Sequence, residues 1–212
     1  MHPYLFELAS LMAVFSFAIV APGADLAMVM RQSILQGRRA AIVTSIGIGT
    51  SLMFHVTYTI LGLGLIISQS IYLFNIVKWC GVAYLLYIGV KSLRAGKTEM
   101  NVEASSRDEP PQQSTIRAFL LGFAANALNP KAVFFFLSIF STVVSAHTPM
   151  QVKFGYGLVM ATALIAWFIG VSLFMTTPKM RAGFSRASQW INRVSGAVFI
   201  MLGLKLAAEK AG

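Results

Sequence analysis

The stretch AIVAPGADLAMVM, Ala18–Met30, decides how this chain folds, because it places three unusual residues inside an apolar segment. Pro22 and Gly23 both weaken a helix. Asp25 adds a carboxylate, which is costly in an apolar helix and marks a functional site by default when the helix spans a membrane. We therefore expect a helix that is interrupted at Pro22-Gly23 beside a polar site.

The composition is that of a membrane protein. Hydrophobic residues make up 57% of the 212 residues and charged residues 11%, whereas an ordinary soluble domain is about 25% charged. The 17 Lys and Arg outnumber the 7 Asp and Glu, but they fall in short clusters between apolar runs. No basic face carries interleaved aromatic residues, so we expect no nucleic-acid partner. The composition predicts an all-α integral membrane protein whose partner is the lipid bilayer.

Apolar runs of about 20 residues, the length that crosses a bilayer, occur six times. The predicted six transmembrane helices are Leu5–Met30, Ala40–Ile67, Ile71–Val90, Ala118–Val144, Phe154–Thr176 and Ile191–Ala208. A polar, proline-containing segment separates the third from the fourth. The predicted division is a three-helix unit at 1–96, a cytoplasmic linker at 97–116 and a second three-helix unit at 117–212.

The cations are distributed unequally between the two sides of the membrane. Twelve fall on one side and four on the other, with Lys131 left inside the fourth span. The twelve are Arg31, Arg38, Arg39, Lys91, Arg94, Lys97, Arg107, Arg117, Lys179, Arg181, Arg186 and Arg193, and the four are Lys78, Lys153, Lys205 and Lys210. Because cytoplasmic loops carry the excess of Lys and Arg, we expect both termini to be periplasmic.

The two halves of the chain share a pattern. Pro130 follows Pro22 by 108 residues, and Gly47, Gly49 and Gly62 have counterparts at Gly155, Gly157 and Gly170 at the same spacing. AYLLYIGVK at Ala83–Lys91 resembles AVFIMLGLK at Ala197–Lys205. Such a repeat with three spans per unit forces the second unit to enter the membrane upside down. The pattern predicts two inverted three-helix repeats, a common transporter architecture.

The repeat pairs the break at Pro22-Gly23 with a second break at Asn129-Pro130. Each proline removes a backbone donor and frees the carbonyl one turn earlier. Irregular backbone at membrane depth belongs at a protein-lined or wet cavity, and paired interruptions in two halves indicate a transporter's binding site.

Five polar side chains are candidates for that site. Asp25 and Lys131 are the acid and the cation that lie well inside the spans. They either bind cargo and protons or form a structural pair. Asn126 and Asn129 share a helix face and either line the cavity or satisfy the freed carbonyls. His55 either relays protons, since histidine titrates near neutral pH, or is hydrogen-bonded to a neighbour.

The sequence has no HExxH, GxSxG or P-loop motif, so we expect no enzyme activity and no cofactor. Potential intramembrane metal ligands are too few for a metal site, with Asp25, His55 and Cys80 at most. The remaining motive force is a proton or ion gradient.

Several segments together resemble the lysine exporter superfamily, in particular its homoserine/threonine-resistance (LysE/RhtB) type. They are APGADLAMV, GRRAA at Gly37–Ala41 followed by GIGTSLMFH, KWCGVAYLLYIGVKSLR at Lys78–Arg94 and ALNPKAVFFFLSIF at Ala127–Phe140. The resemblance covers nearly the whole chain except the linker and the C-terminal tip. The family's first motif is usually PGP followed by a polar residue, and here Ala24 replaces its second proline.

The resemblance implies a bacterial inner-membrane exporter of amino acids or close derivatives, driven by proton antiport. It also implies that the functional motifs contain Pro22, Gly23, Asp25, Asn129, Pro130 and Lys131. The alternatives are a small channel, an accessory membrane subunit, or a divalent-metal exporter of the same superfamily. Which amino acid is carried, and whether the chain forms a homo-oligomer, stay open.

Overall fold

The structure is a computed structural model that describes residues 3–69, 71–97, 113–145, 147–174 and 177–208. This part of the chain is all-helical. Its eight helices are α1 Pro3–Val20, α2 Ala24–Leu35, α3 Gly37–Gln69, α4 Ile71–Arg94, α5 Thr115–Ala127, α6 Pro130–Val143, α7 Met150–Phe174 and α8 Pro178–Ala208.

Five of these helices are long and apolar enough to cross a membrane. They are α1, α3, α4, α7 and α8. Helices α5 and α6 pass the same test together, with a bend of 59° between them. Counting this bent pair as one span gives six, which agrees with the predicted all-α membrane fold.

Both predicted interruptions are present. Ala21, Pro22 and Gly23 separate α1 from α2, and Leu128 and Asn129 separate α5 from α6. Asn129 caps α6 because its side chain accepts a hydrogen bond from the Lys131 backbone N–H at 3.0 Å, and Pro130 occupies the first helical position, where its missing N–H costs nothing. Each break therefore starts a new helix that points away from the interruption.

One predicted boundary was wrong. The sixth span was predicted to begin at Ile191, but α8 begins at Pro178, so the basic stretch before Ile191 is helical and not a loop. Arg193 did not stop the helix, because a long arginine side chain can extend toward water; its guanidinium lies 5.3 Å from the centre of the Trp190 ring. Most of the predicted linker, residues 98–112, lies outside the described residues, and its last two residues belong to α5.

Glycines let three helix pairs pack closely, as small residues do in membrane proteins. Gly47 of α3 lies against the Phe119 carbonyl of α5, and Gly122 of α5 lies against the Thr44 carbonyl of α3. At the α4–α8 crossing, Gly89 and Gly196 face each other. Gly157 of α7 packs on Val56 of α3. These contacts hold α5 and α7 against α3, and α8 against α4.

The helix order is the same in both halves of the chain. A short broken pair, α1–α2 or α5–α6, is followed by two long helices. The inverted repeat itself stays a prediction, as does the relative orientation of the halves in a membrane.

Candidate functional site

Asp25 lies in the first turn of α2, and two asparagines of the other break hold its carboxylate. Asn126, in the last turn of α5, donates its amide N–H to Asp25 Oδ2 at 2.8 Å. Asn129, at the start of α6, donates to Oδ1 at 3.5 Å. The first turn of a helix is favourable for a negative charge. The two breaks are therefore joined through one carboxylate, across 101 residues of sequence.

Lys131 lies in the first turn of α6, beside Gly23 of the opposite break. A β-carbon built on Gly23 would lie 3.7 Å from Lys131 Nζ. The ammonium donates a long hydrogen bond of 3.4 Å to the Ala18 carbonyl and lies 5.3 Å from the centre of the Phe199 ring. A cation in the first turn of a helix is on the unfavourable side of the helix dipole. This position favours an anion next to Lys131.

The two carbonyls that the prolines free are both hydrogen-bonded by candidate side chains. Pro22 cannot donate to the carbonyl of Ala18, and Pro130 cannot donate to that of Asn126. The ammonium of Lys131 reaches the first at 3.4 Å, and His55 Nε2 reaches the second at 3.1 Å. Lys131 therefore bonds a carbonyl that its proline leaves free, whereas His55 adds a second bond to the Asn126 carbonyl, which already accepts from the Asn129 backbone N–H at 2.9 Å.

The hydrogen bonds of His55 fix its tautomer. A carbonyl only accepts, so Nε2 carries the hydrogen that bonds the Asn126 carbonyl. In the neutral ring Nδ1 is then an acceptor, and the Tyr58 hydroxyl lies 2.8 Å from it. The ring is fully buried and stacks on Phe136 at 5.6 Å. Neutral His55 thus has both nitrogens bonded and secures the end of α5.

Asp25, Asn126, Asn129, Lys131 and Gly23 line one cavity of about 60 Å³. Its apolar wall includes Phe15, Phe135, Phe136, Leu164 and Phe168. Ligand pockets usually have roughly 300–1,000 Å³, so this cavity is smaller than a typical ligand site.

Two groups at the cavity have unused hydrogen-bonding capacity. Asn126 is 3% exposed, and its Oδ1 is buried with no hydrogen-bond partner among the described residues. The cap of α2 is Gly23, which offers no side chain to the N–H groups of the first turn. A buried acceptor without a partner costs free energy. The site therefore offers an acceptor next to Asp25 and backbone donors at the start of α2.

The predicted site residues fall into two groups. The cavity brings together Asp25, Asn126, Asn129, Lys131 and Gly23. Pro22 and Pro130 lie at the two helix breaks beside it. His55 does not line the cavity but lies behind Asn126. Within the described residues, no ion pair of 4.0 Å or less joins Asp25 to Lys131. The same part of the chain has no group of three His, Cys, Asp or Glu side chains placed to hold a metal.

The sequence reasoning missed Tyr58 and Phe199 as partners of His55 and Lys131. Tyr58 lies three residues after His55, one helical turn away, which is a local signal that could have found it. Phe199 lies on α8 and carries no such signal, because its contact depends on how α8 packs on α6.

Comparisons with known proteins agree on one family. The sequence pattern of the family described as LysE type translocator matches residues 16–210. A threonine efflux protein of Salmonella typhi is 32% identical over 89% of this chain and 91% of its own length, and one of Escherichia coli K12 is 30% identical over the same shares. A homoserine/homoserine lactone efflux protein of Salmonella typhimurium is 26% identical over 90% of this chain and 91% of its own. No solved structure gives a significant match.

Proposed function

The chain belongs to the LysE type translocator family, and we propose that it is a secondary transporter that exports an amino acid or a close derivative across the bacterial inner membrane by proton antiport. Relatives named for threonine and for homoserine efflux support a small amino acid with a polar side chain as cargo. Both names describe efflux, which supports export as the direction.

One observation carries the proposal: among the described residues, a single acid and a single cation, not paired with each other, line one cavity where two helices begin. An amino acid is a zwitterion and needs both charges met. Asp25 Oδ1, whose bond to Asn129 is long, and the free Asn126 Oδ1 would accept the ammonium. Lys131 and the uncapped N–H groups of α2 would bind the carboxylate.

Proton coupling would follow from competition for Asp25. A carboxylate that has bound a proton cannot also pair with the ammonium of the cargo, so the two ligands exclude each other. A proton arriving from the periplasm would release cargo outward, and cargo arriving from the cytoplasm would displace the proton. Rocking of one inverted repeat against the other would expose the cavity to each side in turn. In the amino-acid site His55 would be a positioning residue for Asn126.

The test uses purified protein in liposomes with a pH gradient and a panel of labelled amino acids that includes L-threonine and L-homoserine. We expect gradient-driven movement of one class. Asp25→Asn should abolish the response to the gradient, and Lys131→Met should weaken cargo binding about 10- to 100-fold, since it removes a charge-assisted hydrogen bond. Lys205→Met, an exposed lysine in the last turn of α8, is the matched control and should transport normally.

Exchanging the two charges separates the proposal from its alternatives. If Asp25 and Lys131 stabilise the fold of a channel or an accessory subunit only through the attraction of their opposite charges, the variant Asp25→Lys/Lys131→Asp should keep its function. A cargo site should lose it, because the reversed groups no longer match the two breaks. Movement of Cd²⁺ or Zn²⁺ in place of amino acids would instead support a divalent-metal exporter.

A further inference from the structure

A second, larger cavity adjoins the candidate site. Its volume is about 450 Å³, within the roughly 300–1,000 Å³ of ligand pockets. It lies between the C-terminal half of α4, α8 and the α1–α2 break. Gly23 and Lys131 line both cavities, so this pair of residues lies between the two spaces.

The lining of the second cavity suits an anion with other polar groups. Lys91 is exposed in the last turn of α4, and the amide of Asn192 is buried in the wall at 5% exposure. Tyr84 and Ser92 add hydroxyl groups. None of the described residues that line this space is acidic. The cavity is therefore electropositive, with Lys91 at one side and Lys131 at the other, and it would concentrate carboxylates.

Gly23 is needed at the junction for its size and not for its backbone conformation. Its φ of −167° and ψ of −172° are extended values that any residue adopts. A β-carbon there would meet Lys131 Nζ at 3.7 Å and the Ala21 carbonyl at 3.8 Å, which are ordinary contacts. Alanine therefore fits, whereas a longer side chain would fill the space between the two cavities.

We propose that the second cavity is the cytoplasmic vestibule of the transporter, in which Lys91 binds the carboxylate of the incoming amino acid before it passes between Gly23 and Lys131 to Asp25. The inference rests on the proposed function and adds a binding step to it. Asn192 would bind a polar group of the same cargo. The position of Lys91, Arg94 and Lys97 at this end of α4 supports the cytoplasmic side, where cations are enriched.

The first test measures the concentration dependence of L-threonine transport, supplied from the proposed vestibule side of proteoliposomes. Lys91→Met should raise KM about tenfold, as expected for a lost charge-assisted contact, and leave the maximal rate near that of the wild type. Arg94→Met is the matched control, since Arg94 is one turn further along α4, is equally cationic and does not line this cavity. It should change KM less than twofold, as a residue outside the site does.

A second measurement detects binding without transport. In a Cys80→Ser background, the Ser92→Cys variant places a thiol in the vestibule wall, and a membrane-impermeant thiol reagent reports its accessibility. L-threonine should slow the labelling. Adding Gly23→Leu should stop transport while that protection persists.

The outcomes distinguish the two proposals. If the wild type transports L-threonine but Lys91→Met keeps the wild-type KM, or Arg94→Met raises KM equally, the vestibule assignment is wrong and the proposed function stands. Absence of protection in the Ser92→Cys variant of a transporting protein would also overturn it. If the wild type moves no amino acid, the proposed function fails and the vestibule fails with it.

Discussion

At the scale of single residues, the two prolines account for most of the polar chemistry. Pro22 frees the Ala18 carbonyl, which Lys131 bonds. Next to Pro130 the Asn126 carbonyl accepts from both the Asn129 backbone N–H and His55. The hydrogen bonds made by Lys131 and by His55 differ in strength. The bond from Lys131 is long and leaves the ammonium able to bind a carboxylate, whereas His55 has both nitrogens bonded. Lys131 is thus suited to exchange the Ala18 carbonyl for another acceptor, and His55 is suited to keep its bond to the Asn126 carbonyl.

This difference predicts the behaviour of two His55 variants. His55→Gln keeps an N–H that can donate to the Asn126 carbonyl, so transport and its dependence on pH should stay close to the wild type. His55→Phe removes the donor and should reduce transport by loosening the end of α5; the cost should be about 0.5–1.5 kcal/mol, because the Asn126 carbonyl keeps its bond from the Asn129 N–H. Proteoliposome transport across a pH series measures both. A proton relay through His55 would instead make His55→Gln lose its coupling to the gradient.

At the scale of helices, the two halves of the chain are alike in helix order and unlike in packing. The predicted repeat pairs Gly47 of α3 with Gly155 of α7, yet Gly47 is pressed against α5, while a β-carbon added at Gly155 would meet none of the described residues within 4 Å. The reason is that α5 packs along α3 over a long stretch, whereas α1 meets α7 only briefly. Equivalent glycines therefore differ in their structural role.

These two glycines form a matched pair for mutation. A β-carbon at Gly47 would lie 2.9 Å from the Phe123 backbone nitrogen and closer still to the Phe119 carbonyl, so Gly47→Ala should separate α3 from α5 and lower the stability by about 1–3 kcal/mol. Gly155→Ala meets open space and should be neutral or stabilising by up to about 1 kcal/mol, because alanine favours helix. Thermal unfolding in detergent compares them. An equal loss of stability in both variants would contradict the packing seen at α3–α5.

At the scale of the whole molecule, the sequence predicted the features that depend on local chemistry. Prolines marked the helix breaks, apolar runs marked the spans, and the isolated charges Asp25 and Lys131 marked the cavity. The contacts between distant helices could not be predicted, because nothing in one sequence relates Phe199 to Lys131. The start of α8 was missed for a related reason: hydropathy locates the apolar part of a helix, and α8 extends its basic first turns beyond it.

The number of membrane crossings depends on the bent pair α5–α6. If the pair crosses, the chain has six spans and both termini lie on one side; if it is a re-entrant loop that returns to the side it left, the chain has five and the termini lie on opposite sides. The predicted inverted repeat needs three crossings in each half, and the excess of cations predicts that both termini are periplasmic. We therefore expect alkaline phosphatase to be active when fused at either terminus and inactive when fused within the 97–116 segment.

Activity at one terminus alone would make α5–α6 re-entrant and the repeats no longer inverted. Activity only in the 97–116 segment would reverse the orientation, and the cavity beside Lys91 would then open to the periplasm.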